Sequence, residues 1–224
     1  MIREAPSPNV DARPDGEPID MLILHYTGMQ SGQAALDRLR DPAARVSSHY
    51  VVEEDGQIWR LVPEAMRAWH AGVSEWRGHT VLNGRSVGIE VVNPGHEWGY
   101  RPFPAVQMTA VRELCRGILA RHPIPARNVV GHSDVAPDRK QDPGELFDWA
   151  GLAADGIGVW PEPGEQPFQG NDGADGLLSG IGYGRGDLAT TLTAFQRHWL
   201  QDGITGRADA RTWARLHAVR AAMG

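Results

Sequence analysis

Cysteine is nearly absent from this chain. Cys115 is the single one among 224 residues, so no internal disulfide and no cluster of thiolate metal ligands can form. It sits in Glu113-Leu114-Cys115-Arg116 on a helical pattern and reads as a buried, inert thiol. Long apolar runs are missing too, and none approaches the roughly eighteen residues of a membrane span. The opening stretch MIREAPSPNVDARPDGEPID lacks the apolar core of a secretory signal. The expectation is therefore a cytoplasmic protein, with the periplasm or outer membrane as the alternative if a signal was removed. An excess of positive charge is lacking as well. A net charge of −6 gives no general attraction for nucleic acid or an acidic membrane face. Phenylalanine and tyrosine number only four each, against eight tryptophans, which supply core volume and flat contact area for sugars or peptides.

What is present is enough for one sizeable domain, or a medium one with a small companion. Hydrophobic content of 41% and charged content of 22% are those of an ordinary globular chain. Residues 1–19 read as an irregular lead-in along the surface. Met21–Tyr26 (MLILHY) is a short apolar run and predicts a buried strand. A turn from Gly28 to Gly32 leads into a short helix over Gln33–Leu39. Glu54-Asp55-Gly56 between Ser48–Glu53 and Ile58–Val62 predicts a hairpin. Pro63–Arg85 has no clean period and reads as a long loop. Ser86–Val92 predicts another strand. Ala105–His122, with apolar positions at Val106, Ala110, Leu114 and Ile118, predicts the longest helix. A strand over Asn128–Gly131 and a helix over Leu146–Ala153 close the pattern. Strands alternating with helices indicate an α/β domain with a mixed central sheet flanked by helices.

The segment Val130–Gly144, VGHSDVAPDRKQDPG, holds the densest chemistry. Its glycines and prolines argue against a helix and mark a loop leaving a strand. His25 and His132 both stand at carboxyl ends of apolar strands, the edge where open α/β sheets place ligands. Asp142 lies on the same loop as His132 and can fold back toward it. Two imidazoles and a carboxylate leave a fourth tetrahedral position for water, the arrangement of a catalytic zinc. The competing reading leaves these histidines as unrelated core or surface residues. His132-Ser133-Asp134 is also the H-x-D pair of a two-histidine, one-carboxylate iron site, which needs a further downstream histidine. Only His198 and His217 follow, both on tail helices beyond a linker.

The motifs LILHYT, SSHYVVEEDGQIWRLVPE, RAWHAGVS, LNGRSVGIEV and VVGHSDVAPDRKQDPGELFDW run in order over Met21–Pro161. In them the chain resembles the zinc-dependent N-acetylmuramoyl-L-alanine amidases of the AmpD/AmiD type, in the superfamily that includes the phage lysozyme-like amidases and peptidoglycan-recognition proteins. The resemblance implies a peptidoglycan-recognition-protein-like fold and one zinc ion per chain held by His25, His132 and Asp142. It implies Glu90 as the catalytic carboxylate, assisted by Lys140. A carboxylate among Ile89, Val91 and Val92 should be partly desolvated and its pKa raised, which suits a proton shuttle. The implied substrates are peptidoglycan fragments or muropeptides, cut at the amide between N-acetylmuramic (or 1,6-anhydro-N-acetylmuramic) acid and L-alanine. Trp69, His70 and Asn83 fall in motifs that line the family's groove. Relatives often carry an arginine after the position of Gly78; here that stretch is His79-Thr80-Val81, with Arg77 and Arg85 nearby. The alternative is a catalytically silent peptidoglycan-binding protein, and such relatives lose a metal ligand that this chain keeps.

Beyond Trp160 the composition shifts to PEPGEQPFQGNDGADG, read as a linker. The expected division is a catalytic domain over 1–165 and a small all-α module over 166–224. Helices are predicted over Thr190–Trp199 and Asp209–Met223. AFQRHWLQDGITGRADARTWARL resembles a three-helix peptidoglycan-binding module, whose remaining helix must come from Leu177–Ile181 or be absent. A plain helical appendage packed on the catalytic domain is the other reading. Oligomeric state is not legible in the residues.

Overall fold

A computed structural model of the protein describes residues 1–163 and 173–224. The expected domain boundary at 165/166, and the central part of the linker, lie outside the described residues. In chain order the strands are β1 (Ile2–Glu4), β2 (Val10–Ala12), β3 (Met21–Tyr26), β4 (Tyr50–Val52), β5 (Ile58–Arg60), β6 (Met66–Ala68), β7 (Ser86–Val91) and β8 (Val129–Gly131). The helices are α1 (Gly32–Arg40), α2 (Gly95–Trp98), α3 (Ala105–Arg121), α4 (His132–Val135), α5 (Trp149–Ala154), α6 (Ala174–Ile181), α7 (Leu188–Trp199) and α8 (Ala210–Ala222).

Six strands form one sheet in the order β1-β5-β4-β7-β3-β8, and every neighbouring pair is parallel except β4 with β5. β2 and β6 make a separate antiparallel pair. Successive side chains of a strand point to opposite faces. Leu22 and Leu24 of β3, with Val87, Ile89 and Val91 of β7, face the apolar stripe of α3 and the ring of Trp149. Met21 and Ile23 face the other way, into a cluster with Trp76 and helices α6–α8. His25 shares the phase of Met21 and Ile23. Glu90 stands opposite in phase to Ile89 and Val91, and the register places it directly beside His25. Both strands therefore deliver a polar group to one face at their carboxyl ends.

The helices obey similar logic. Ser31 caps α1, its hydroxyl accepting from the Ala34 amide at 3.2 Å, and Leu36 and Leu39 bury against Val51, Leu61 and Val62. In α3 the buried apolar positions are Met108, Val111, Leu114, Cys115 and Ile118, a helical stripe. That stripe is turned from the expected one, because Val106 is exposed. Gln196 of α7 ties the tail together: its amide nitrogen donates to Thr212 and its oxygen accepts the Thr205 and Gly206 amides at 2.8 Å.

Four sequence expectations change. Residues 1–19 are not merely a lead-in, since Ile2–Glu4 extends the main sheet beside β5 and Val10–Ala12 pairs with β6. The long loop 63–85 contains β6 and a short 3-10 turn at Leu82–Gly84. The glycine- and proline-rich segment after β8 does turn once as a helix, α4, because Asp134 accepts the Gly131 amide and closes the turn. Ala174, read as linker, begins α6, the third tail helix, and its residues Leu177, Leu178 and Ile181 share one core with Met21 and Ile23. No helix among the described residues is long and apolar enough to cross a membrane.

Candidate metal centre and cleft

The carboxyl edge of the sheet gathers three polar groups. His25 is the penultimate residue of β3, His132 opens α4 directly after β8, and Asp142 returns on the loop beyond, where the Ser133 amide donates to the Asp142 carbonyl at 2.8 Å. The Nδ1 atoms of His25 and His132 lie 2.9 Å apart, and each is 3.0 Å from Asp142 Oδ2. All three side chains are buried.

The protons of this cluster can be followed outward. His132 Nε2 is 3.1 Å from the Ala71 carbonyl, which can only accept, so Nε2 carries the proton and Nδ1 is bare. Ser86 Oγ donates to the Leu82 carbonyl at 2.7 Å and so accepts from His70 Nε2 at 3.1 Å. His70 Nδ1 is then bare and accepts from His25 Nε2 at 3.0 Å, which leaves His25 Nδ1 bare as well. Two imidazole lone pairs and a carboxylate oxygen thus converge with no proton between them. Burial and the neighbouring His132 hold His25 down at about 4, against the pull of Asp142. Burial and the His25 ring hold His70 well below the usual histidine range. Neutral rings facing a charged carboxylate are a donor set for a metal cation.

Glu90 lies beside this set. Its Oε2 is buried without a hydrogen-bond partner. Burial, and then the Asp142 carboxylate, push its pKa well above the ordinary value, with Lys140 opposing. Lys140, Asp142, His132 and Glu90 all border one cleft of about 620 Å³, a volume suited to a small-molecule or peptide ligand. Tyr26, Arg38, Trp69 and the half-exposed Trp98 form more of its wall.

The three residues read as substrate contacts occupy different places. Trp69 borders the cleft, its Nε1 donating to Asp11 Oδ2 at 2.7 Å. His70 also reaches the cleft wall, but its hydrogen bonds run to His25 and Ser86. Asn83 points elsewhere: its Oδ1 accepts the His70 and Ala71 amides at 3.1 and 2.8 Å and so holds the carbonyl that orients His132. Arg77 is engaged by the Ile181 carbonyl and Arg85 by Asp20, while Arg38, Arg139 and Lys140 are the cations along the cleft. Sequence reasoning did not find Ser86 or Gly88 as parts of the site. A Cβ on Gly88 would lie 2.6 Å from the His70 ring. A glycine interrupting an apolar strand is the signal for such a close approach.

Two bare histidine nitrogens and a carboxylate beside a cleft, next to a desolvated glutamate, form a donor set suited to a metal cation at the edge of a mostly parallel α/β sheet. The family model for N-acetylmuramoyl-L-alanine amidase matches residues 15–145, and the chain belongs to this family. The chain is 39% identical to N-acetylmuramoyl-L-alanine amidase AmiD of Escherichia coli K12, over 90% of this chain and 82% of that one. It is 38% identical to 1,6-anhydro-N-acetylmuramyl-L-alanine amidase AmpD of the same organism, over 66% of this chain and 88% of that one. Among solved structures, the complex of E. coli AmiD with anhydro-N-acetylmuramic acid-L-Ala-D-gamma-Glu-L-Lys superposes with a TM-score of 0.81 at 38% identity, covering 92% of this chain and 90% of that one. AmpDH3 from Pseudomonas aeruginosa gives 0.83 at 30% identity, covering 93% and 94%.

Proposed function

We propose that this protein is a zinc amidase that hydrolyses the amide joining the lactyl group of N-acetylmuramic acid, or its 1,6-anhydro form, to L-alanine of the peptidoglycan stem peptide. The observation that carries the reading is the meeting of His25 Nδ1, His132 Nδ1 and Asp142 Oδ2 within 3.0 Å beside Glu90. Three protein ligands of this kind with an open side are the pattern of catalytic rather than structural zinc. Zinc held there supplies Lewis acidity, polarising the scissile carbonyl and easing deprotonation of the attacking water. Glu90 takes that proton as the water oxygen adds to the carbonyl carbon. It returns the proton to the alanine nitrogen as the C–N bond breaks, and the second water proton passes from the new carboxyl group to the amine, leaving a lactyl carboxylate and a stem-peptide ammonium. Its raised pKa matches a group that must both accept and give. Lys140, on the cleft wall, faces the developing oxyanion.

The three tail helices support a second element of the proposal, a peptidoglycan-binding-like module over residues 166–224 that holds polymeric wall near the cleft. The deciding measurement is hydrolysis of soluble anhydro-muramyl tripeptide and of intact sacculi, each with and without a zinc chelator. Chelator-sensitive release of stem peptide from both fits amidase and wall-binding tail together. Release from the soluble substrate alone keeps the amidase, removes the wall-binding role and fits recycling in the cytoplasm. No release from either, by protein shown to hold zinc, replaces the amidase with a silent peptidoglycan-binding protein.

A further inference from the structure

Asp134 is fully enclosed and receives three donors. Its Oδ2 accepts the Gly131 amide and His198 Nδ1, each at 2.7 Å, and its Oδ1 accepts the Tyr183 hydroxyl at 2.7 Å. Gly131 directly precedes His132, so the first of these bonds sets the direction in which the His132 side chain leaves the backbone. The other two donors come from the tail: Tyr183 follows α6, and His198 lies on α7. His198 is clamped flat between Trp149 and Trp199, with ring centroids 3.8 and 3.6 Å away. Tyr183 packs edge-on against Trp76. Neither ring can swing away without opening the core.

We infer that Tyr183 and His198 are positioning residues for the metal centre, acting through Asp134 and the Gly131 amide to fix His132. The tail is then a structural part of the zinc site as well as a covering for the sheet. A buried carboxylate that loses a donor must find another or move, and the nearest backbone it can disturb is the one carrying His132. Partners that orient a metal-binding histidine from outside typically govern metal affinity by about ten- to a hundredfold. The AmpD relative from Escherichia coli matches 66% of this chain, against 90% for AmiD of the same organism. The inference rests on His25, His132 and Asp142 binding zinc, which titration of the unaltered protein checks separately.

The test uses the full chain and compares Tyr183→Phe, His198→Gln and, as a control, Leu216→Ala, a core truncation in the same tail at a side chain that makes no hydrogen bond to Asp134. Zinc affinity is measured by competition with a chromophoric chelator, the ligand field by the visible spectrum of the cobalt-substituted protein, and thermal stability with and without metal. Tyr183→Phe keeps the ring and its packing, so it folds even if His198→Gln does not. The expected result is a roughly ten- to hundredfold loss of zinc affinity in Tyr183→Phe, a shifted cobalt spectrum, and a larger stability loss with metal than without. Leu216→Ala should lower both stabilities alike and bind zinc as the parent does. Unchanged affinity and equal stability losses in Tyr183→Phe overturn the inference, and so does a matching zinc loss in Leu216→Ala. An unaltered protein that takes up no zinc removes the metal reading itself.

Discussion

Asp134 on α4 and Asp142 on the loop that follows it are both buried and both touch histidine, yet they are opposites. Asp142 faces two imidazole nitrogens at 3.0 Å that have given their protons elsewhere. Asp134 faces a hydroxyl, an amide and an imidazole that each bring a proton, all at 2.7 Å. The first cluster is short of positive charge and asks for a cation; the second is satisfied by the protein itself. Residue type does not distinguish them. The count of protons and lone pairs does, and that count depends on what the far side of each ring touches.

The comparison breaks most visibly at Asp142. Asp142→Ala should abolish zinc binding and amide hydrolysis together, read as metal content per chain and release of stem peptide. A fully active Asp142→Ala protein would sink the assignment of the metal. Glu90→Gln sharpens the contrast from the other side, because Glu90 is beside the donor set without belonging to it. Zinc content should stay at one per chain while turnover falls by about a hundred- to ten-thousandfold, the usual worth of a general acid–base group. Loss of zinc in step with turnover would make Glu90 a ligand instead.

Much of this geometry was legible in the residues. The apolar runs of β3, β7 and β8 announce themselves, and their carboxyl ends place His25, Glu90 and His132 at one edge. The metal donors follow once strand order brings β3 between β7 and β8. The partners of Asp134 were not legible, since they come from 49 and 64 residues further along and depend on how the tail meets the sheet. His198 was set apart from His132-Ser133-Asp134 because sequence distance placed it beyond a linker. Folding brings it to Asp134 while His132 turns to the other cluster. The strands β1, β2 and β6 escaped for a different reason: each is three residues long, partly exposed, and defined by its partner rather than by any period of its own.

Lys140 tests the charge balance of the cleft. Lys140→Ala should cost on the order of a hundredfold in turnover, as loss of one oxyanion donor commonly does, with zinc content and KM nearly unchanged. An effect confined to KM would move Lys140 from the reacting carbonyl to the peptide.

Glu64 supplies a third carboxylate–histidine cluster and extends the comparison to stability. Its oxygens accept from Tyr50 and Arg121 at 2.7 Å and from His122 Nε2 at 2.6 Å. Burial disfavours its charge, but Arg121, Tyr50 and His122 outweigh that and hold the carboxyl at about 2, below an ordinary 4.5. Like Asp134 it is satisfied by protons, but its partners are Tyr50, Arg121 and His122 rather than the backbone just before His132, so it should influence folding and leave zinc untouched. Because the folded pKa is the lower one, its contribution is fully present above about pH 4.5 and is lost as pH falls toward 2. Allowing for solvent screening at a partly accessible pair, the parent should lose on the order of 1–2 kcal/mol more than Glu64→Gln between pH 6 and pH 3. Urea midpoints across that range read the difference. Parallel curves would mean that the bonds seen at Glu64 do not favour its charged form, and that counting protons around a buried carboxylate predicts less than the contrast between Asp142 and Asp134 implies.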